Sequence, residues 1–255
     1  MAKVISNIKL RGTLGDITYY NASNQELARE KGDSGITKKQ FAENPIFIKI
    51  KQQGKEFGRC ARQSRVFRLL AKPFYDRAKE VSFAGRVNAL LFEVMEEDTI
   101  HPRGARTLAQ GLAHPESASL FLHFEGNKLR PLKRVLKKPV VFDWDQYAIS
   151  LTSLHAEADL LWPEPDANQV HLQVAVANWN YTSNTFEHHF SPEIIVGRED
   201  MVVPLSFPVA RLSAQDLWFA YLFIGFSNKE RKKTKFLHKK WNTATIIGVK
   251  GVFDD

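Results

Sequence analysis

A stretch with helical spacing at residues 45–71 constrains the fold more than any other part of this chain. Asn44 is a typical helix N-cap, and Pro45 suits the first helical position because the N–H that it lacks would have no partner there. Pro73 disfavours a helical conformation in the residue before it. We therefore predict one long helix over residues 45–71, with a break or kink at Pro73.

Side chains placed at 100° intervals around this helix separate into two faces. The face that we predict to be buried consists of Ile46, Phe57, Cys60, Ser64, Val66, Phe67 and Ala71. The opposite face, called here the basic helix face, consists of Lys51, Lys55, Arg59, Arg62, Arg65 and Lys72. Residues 49–72 contain eight bases and a single acid, Glu56. Because like charges one turn apart repel, the pattern predicts an anionic partner, and a plain solvated helix surface is the alternative.

The charge is distributed unevenly along the 255 residues, whose formal net charge is +8. Residues 1–140 hold 26 Lys and Arg against 14 Asp and Glu, whereas residues 141–255 hold 10 against 14. The basic part can dock on the acidic part of the same chain or of a neighbouring copy. Alternatively, it can bind an external polyanion such as nucleic acid.

The second part of the chain has the residue pattern of a β protein. After Pro139, runs rich in β-branched and aromatic residues are separated by turn residues, which predicts about seven strands of an immunoglobulin-like β-sandwich. Residues 217–226 are apolar on both faces, as is typical of a central strand. We therefore predict an α+β protein with two domains. Residues 1–139 form a basic module of a β-hairpin (8–20) and helices, and residues 140–255 form the sandwich.

Residues 228–240 would then be an exposed hairpin tip, called here the basic tip. Its basic members are Lys229, Arg231, Lys232, Lys233, Lys235, Lys239 and Lys240. Phe236 and Trp241 lie beside these charges and could stack on nucleic-acid bases. The alternative is a loop whose charges prevent sheets from associating edge to edge.

A further helix is predicted over residues 75–98. It ends in an acidic cluster, Glu93, Glu96, Glu97 and Asp98, which is the nearest group able to neutralise the bases. A divalent metal ion or an acid–base pair would also use such carboxylates. We interpret the cluster as a solvated helix end and assign it no catalysis.

The reactive side chains of the sequence do not form a familiar catalytic pattern. Cys60 is the only cysteine, which excludes an internal disulfide and a Cys-rich zinc module, and it lies on the apolar helix face. His188 and His189 are adjacent, so in a strand they point to opposite faces and cannot readily share a metal ion. No Ser-His-Asp, Cys-His, dinucleotide-binding or kinase spacing is present. We predict no catalytic residue, metal, cofactor or small-molecule substrate.

Neither a long apolar run nor a signal-peptide pattern occurs in the sequence. We therefore expect no membrane segment, and a cytoplasmic location or an intracellularly assembled particle.

Several short motifs occur in both parts of the chain: GTLGDITYY at 12–20, REKG at 29–32, EFGR at 56–59, HPRG at 101–104, FIGF at 223–226 and WNTA at 241–244. In these motifs the chain resembles a group of uncharacterised proteins from Bacteroidota. The resemblance implies architecture and no particular chemistry, and the lysine-rich segment 228–240 departs from it. Similar glycine-hairpin openings occur in phage-like virion proteins.

These observations predict a non-enzymatic structural or assembly protein, similar to virion proteins, that packs on copies of itself or on another protein through its basic surfaces. The alternative is a nucleic-acid-binding protein that uses the basic helix face and the basic tip without sequence preference.

Overall fold

The computed structural model describes residues 2–3, 10–22, 25–32, 35–114, 116–163, 167–213, 217–231 and 233–251. The chain divides into two compact units, residues 1–48 and 49–255. The boundary that we predicted after residue 139 falls inside the second unit, because residues on both sides of that position share one core.

The first unit is a four-stranded antiparallel sheet followed by a short helix. The strand order is β1-β4-β3-β2, with β1 Ala2–Lys3, β2 Gly12–Leu14, β3 Ile17–Ala22 and β4 Gln25–Glu30. The predicted hairpin is confirmed as β2 and β3, although residues 8 and 9 lie outside the described ranges. Helix α1 (Lys38–Glu43) begins with a capping box made by Thr37 and Gln40. Within residues 10–22, 25–32 and 35–48 of this unit no residue is buried.

The second unit begins with the long helix. After a 3-10 turn at Pro45–Phe47 that Asn44 caps, α2 runs over Ile48–Leu70, and Pro73 lies in the first turn of α3. The remaining helices are α3 (Lys72–Ala78), α4 (Phe83–Glu96), α5 (Leu108–Leu112), a 3-10 helix (Ser117–Phe121), α6 (Leu132–Val135), α7 (Ala156–Asp159) and a 3-10 helix (Lys239–Trp241). None of the helices in the described ranges is both long and apolar enough to cross a bilayer.

The single helix that we predicted over residues 75–98 is wrong in its continuity, since α3 and α4 are separate. The Glu80 carboxylate accepts hydrogen bonds from the Ser82 backbone N–H and, at 2.7 Å, from the Ser82 hydroxyl. These bonds satisfy a donor at the start of α4, where the chain begins a new helix.

The buried face of α2 is predicted correctly only in its C-terminal half. Cys60, Phe67 and Ala71 are fully buried, whereas Ile46 and Phe57 are 74% and 53% exposed. Two residues that we did not place on this face, Glu56 and Leu70, are buried as well. Cys60 is the first residue of α2 that belongs to the buried core, and neither Ile46 nor Phe57 is a member of that core.

The main sheet has six antiparallel strands and curls into a half-barrel. Its two long central strands, β8 (Gln169–Asn180) and β12 (Leu217–Glu230), pair with each other. The strands β9 (Thr185–Phe190) and β10 (Ile194–Gly197) flank β8, while β13 (Lys233–Phe236) and β14 (Thr243–Gly251) flank β12. The prediction that residues 217–226 form a central strand is confirmed.

Both faces of this sheet are buried, which explains the continuous apolar run in β12. Phe219, Tyr221 and Phe223 pack with the helices, and Leu222 and Ile224 belong to a second core on the other face. Within the described ranges that second face is covered by residues 132–163 and 203–212 rather than by a second full sheet. These segments contain two small strand pairs, β5 (Phe142–Asp143) with β6 (Ala148–Ile149), and β7 (Ser153–Leu154) with β11 (Val203–Pro204). The α+β class is confirmed.

Candidate functional site

An open groove of about 420 Å³ lies beside the end of α2, along α3 and at the start of α4. We call it the basic groove. It brings together two surfaces that the sequence predicted separately, because Arg65 and Lys72 belong to the basic helix face and Lys239 to the basic tip. Its lining residues are Arg65, Arg68, Leu69, Lys72, Tyr75, Asp76, Lys79, Glu80, Val81, Phe83, Ala84 and Lys239.

The groove has an excess of positive charge, with five Lys and Arg against two acids. Asp76 pairs with Lys72 and, at 2.7 Å, with Lys79, and these bonds lower the pKa of Asp76. Glu80 pairs with Arg86 at 2.9 Å. Both acids are therefore occupied, whereas neither Arg65 nor Lys239 forms an ion pair with any residue in the described ranges.

Lys239 begins a short 3-10 turn, Lys239–Trp241, whose backbone is held by buried asparagine side chains. The fully buried Asn127 amide donates to the backbone carbonyls of Lys240 at 3.1 Å and Asn242 at 2.9 Å. The Asn242 amide in turn donates to the Arg77 carbonyl in α3 at 2.8 Å. The base of the tip is thus tied to the helix that lines the groove.

The rim of the groove is aliphatic. Leu69 and Val81 are exposed there, while Tyr75 and Phe83 are buried and contact each other with ring centroids 4.5 Å apart. Among the lining residues no aromatic ring is exposed. A ligand would therefore find cations and aliphatic surface but no ring on which to stack.

The other members of the basic helix face lie outside the groove. Arg59 is half-buried and donates to the Arg106 carbonyl at 2.9 Å, so it has a structural role. Lys51 is half-buried, and Lys55 and Arg62 are exposed. Neither Lys55 nor Arg62 pairs with a carboxylate of the described residues, so this face remains positively charged.

The rest of the basic tip is exposed. Lys229, Arg231, Lys233, Lys235 and Lys240 all face solvent, and Lys232 lies outside the described residues. The β12–β13 hairpin carries the first four of these and places them away from the basic groove.

The two stacking candidates already have partners within the chain. Phe236 is 55% exposed, yet its ring centroid lies 4.9 Å from that of His171 and 5.4 Å from the Arg77 guanidinium carbon. Trp241 is half-buried, and the ammonium group of Lys240 lies 4.9 Å from its ring centroid. Neither ring is fully free to stack on a nucleic-acid base.

A buried ion pair that the sequence did not reveal fixes the loop after α4. Glu56, the single acid of residues 49–72, accepts hydrogen bonds from Arg106 Nε at 2.9 Å, Arg106 Nη2 at 2.8 Å and the Gly104 N–H at 2.7 Å. The Arg106 guanidinium lowers the pKa of Glu56 despite the burial of that carboxylate. No spacing rule joins positions 50 residues apart, so only the tertiary structure shows this pair.

Ser227, His171 and Glu193 form a chain of hydrogen bonds with the distances of a nucleophile–base–acid triad. Ser227 Oγ lies 2.8 Å from His171 Nε2, His171 Nδ1 lies 3.2 Å from Glu193, and Arg77 pairs with Glu193 at 2.7 Å. Ser227 is fully buried, so its hydroxyl has no access to a substrate in this structure. The chain instead gives hydrogen-bond partners to a buried imidazole, as burial of polar groups requires.

The remaining reactive side chains are also engaged internally. His188 Nδ1 lies 3.1 Å from the Leu70 carbonyl, whereas His189 Nδ1 accepts from the Ala210 N–H at 3.1 Å. Cys60 contacts Met95, and burial raises the pKa of its thiol to about 11. In the described part of the chain no group of three or more His, Cys, Asp or Glu is arranged to hold a metal ion.

Comparisons of this chain with protein-family models, with curated proteins and with solved structures gave no significant match. The resemblance to Bacteroidota and phage-like proteins therefore stays a prediction.

Proposed function

We propose that this protein is a non-enzymatic assembly protein that docks an acidic segment of a protein partner in the basic groove. The observation that carries the proposal is the convergence of Arg65, Arg68 and Lys239 on one open groove whose two acids are already paired. Cations held at fixed positions attract and orient an acidic partner, and they contribute mainly to association rate and specificity.

The lining of the groove favours a protein partner over nucleic acid. Leu69 and Val81 offer aliphatic surface that an acidic peptide with apolar residues would cover. Binding of single-stranded nucleic acid normally uses exposed aromatic rings, and those of Phe236 and Trp241 pack within the chain.

The first unit supports an assembly role independently. Its strands β2, β3 and β4 and its helix α1 contain no buried residue, and apolar side chains such as Leu14, Ile17 and Phe41 are exposed. Small sheets need a packed apolar face for stability in water. Packing on a partner would supply one, which agrees with the likeness of the opening hairpin to those of phage-like virion proteins.

The proposal is tested by fluorescence anisotropy with a labelled oligoglutamate peptide as the probe. We expect the affinity for the peptide to fall as the salt concentration rises. In the double variant Arg65→Glu/Lys239→Glu the affinity should be lower by at least about tenfold, because the reversed charges repel the acidic peptide. The matched control is Lys55→Glu/Arg62→Glu, which makes the same change in net charge outside the groove and should alter affinity by less than about twofold. Equal losses of affinity in the two variants would show that binding depends only on the overall electrostatic field of the protein. That result would contradict the groove as the binding site.

Nucleic acid is the second candidate, because five described bases of the tip, outside the groove, are exposed. Titration with single-stranded and duplex oligonucleotides distinguishes it. A steep linear dependence of log affinity on log salt, with tighter binding than that of oligoglutamate, would favour nucleic acid and reject the protein partner.

A further inference from the structure

We infer that the acidic segment that fills the basic groove is the C-terminal end of α4 in a second copy of this chain. This inference rests on the proposed function of the groove. The segment, called here the acidic end, consists of Glu93, Glu96 and Glu97, all exposed, with Ile100 beside them in sequence.

The acidic end has little neutralisation within its own chain. Glu93 and Glu97 form no ion pair with a residue in the described ranges. Glu96 is 52% exposed and lies 3.5 Å from Arg106, a contact at the limit of a hydrogen bond. That guanidinium is already bound at 2.8 Å by the buried Glu56. Carboxylates therefore remain available to external cations.

The position of these acids in α4 makes an external cation favourable. Glu96 is the last residue of α4 and Glu97 is its C-cap. The C-terminus of a helix carries partial negative charge, so acids there are unfavourable and a cation is stabilising. The groove residues Arg65, Arg68 and Lys239 are cations of the kind that this end lacks.

The two surfaces lie at opposite ends of the same helix. Phe83 and Ala84, at the start of α4, line the groove, and the acidic end lies 10 to 14 residues after Phe83, about 15–21 Å at 1.5 Å per residue. One copy cannot therefore place its own acidic end in its own groove. The complementary surfaces can meet only between copies, either head to tail or as a reciprocated pair about a two-fold axis.

The two surfaces also match in their apolar parts. Val81 and Leu69 are exposed at the groove, and Ile100 is 69% exposed beside the acidic end. Contact between them would remove aliphatic surface from water. A head-to-tail contact uses different surfaces on the two partners, so repetition gives a ring where the rotation closes and a filament where it does not.

The test uses sedimentation velocity and light scattering on the full-length chain and on two charge-reversal variants. The groove variant is Arg65→Glu/Lys239→Glu, and the acidic-end variant is Glu93→Lys/Glu97→Lys, which leaves the Glu96 contact with Arg106 in place. We expect the unaltered chain to form larger oligomers as the protein concentration rises and to dissociate at high salt concentration. The association constant for self-association of each variant alone should be at least about tenfold lower than that of the unaltered chain.

Mixing the two variants supplies the decisive measurement. The intact acidic end of the groove variant can still occupy the intact groove of the acidic-end variant, so an equimolar mixture should give a dimer and nothing larger. Lys55→Glu/Arg62→Glu is the control and should assemble like the unaltered chain. A mixture that stays monomeric, or an unaltered chain that is monomeric at all concentrations, overturns the inference.

The oligoglutamate experiment separates this inference from the proposed function. A chain that is monomeric yet binds the peptide through the groove would disprove the second copy as the partner and retain the proposed function. A chain that neither self-associates nor binds the peptide would disprove both.

Discussion

Asp98 is a buried carboxylate on which the loop between α4 and α5 depends. It accepts hydrogen bonds from the backbone N–H groups of Ile100 at 3.0 Å and of His101 and Thr107 at 2.9 Å. Burial alone would raise the pKa of Asp98, but the donors of His101, Thr107 and Ile100 outweigh it and lower that pKa from 3.8 to about 2. The ionised form is therefore the one that stabilises the loop.

The first prediction concerns the substitution Asp98→Asn. Asn offers one acceptor oxygen and turns an NH₂ group toward donors, so we expect a loss of about 2 kcal/mol in the free energy of unfolding at pH 7. Because the folded-state pKa lies below the unfolded one, the stabilisation is present above about pH 5 and is lost as the pH falls toward 2. Urea unfolding across this pH range should show the two proteins converging at low pH.

The matched control is Glu97→Gln, the neighbouring exposed acid, which should change stability by less than about 0.5 kcal/mol. A difference between Asp98→Asn and the unaltered chain that stays constant down to pH 2 would contradict this account of Asp98.

At the scale of elements, α2 shows how one helix can have a buried half and an exposed half. Phe67 packs against four aromatic rings, with centroids 5.4 Å from Phe219 and 5.5 Å from Phe121 among them. Phe57, predicted on the same face, is 53% exposed. The periodicity of the sequence gives the direction of a face, but the length over which that face is covered depends on the elements that pack against it.

The second prediction is a matched pair of truncations in α2. Phe67→Ala should destabilise the fold by about 3–5 kcal/mol, because it removes a fully buried ring and leaves a cavity. Phe57→Ala removes the same atoms from a half-exposed position and should cost less than about 1 kcal/mol. Chemical denaturation of both variants tests this, and equal losses would mean that Phe57 is buried in the protein in solution.

At the scale of the whole molecule, both buried cores lie in residues 49–255. One joins the helices to the inner face of the sheet, and the other fills the opposite face. No described residue of the first unit contributes to either core. The stability of the second unit should therefore be largely its own.

The third prediction is that removal of residues 1–44 leaves a folded protein. We expect cooperative thermal unfolding with a midpoint within about 5 °C of the full-length value, measured by circular dichroism. The shortened chain should also retain binding of oligoglutamate, since every residue of the basic groove lies after residue 49. Loss of the cooperative transition would show that the first unit completes the fold.

The sequence by itself determined the local features. The cap at Asn44, the helix break just before Pro73, the central position of β12 and the α+β class follow from backbone chemistry and periodicity, which act over a few residues. The excess of positive charge in residues 49–72 is also a property of the sequence alone.

Only the tertiary structure decided which of those charges meet. Arg65 and Lys239 are more than 170 positions apart, and they line one groove because the buried side chains of Asn127 and Asn242 tie the base of the tip to α3. The same holds for Glu56, whose charge is neutralised by Arg106 rather than by a base of its own helix. Electrostatic interaction depends on distance in space, and no periodicity along a chain specifies that distance between remote residues.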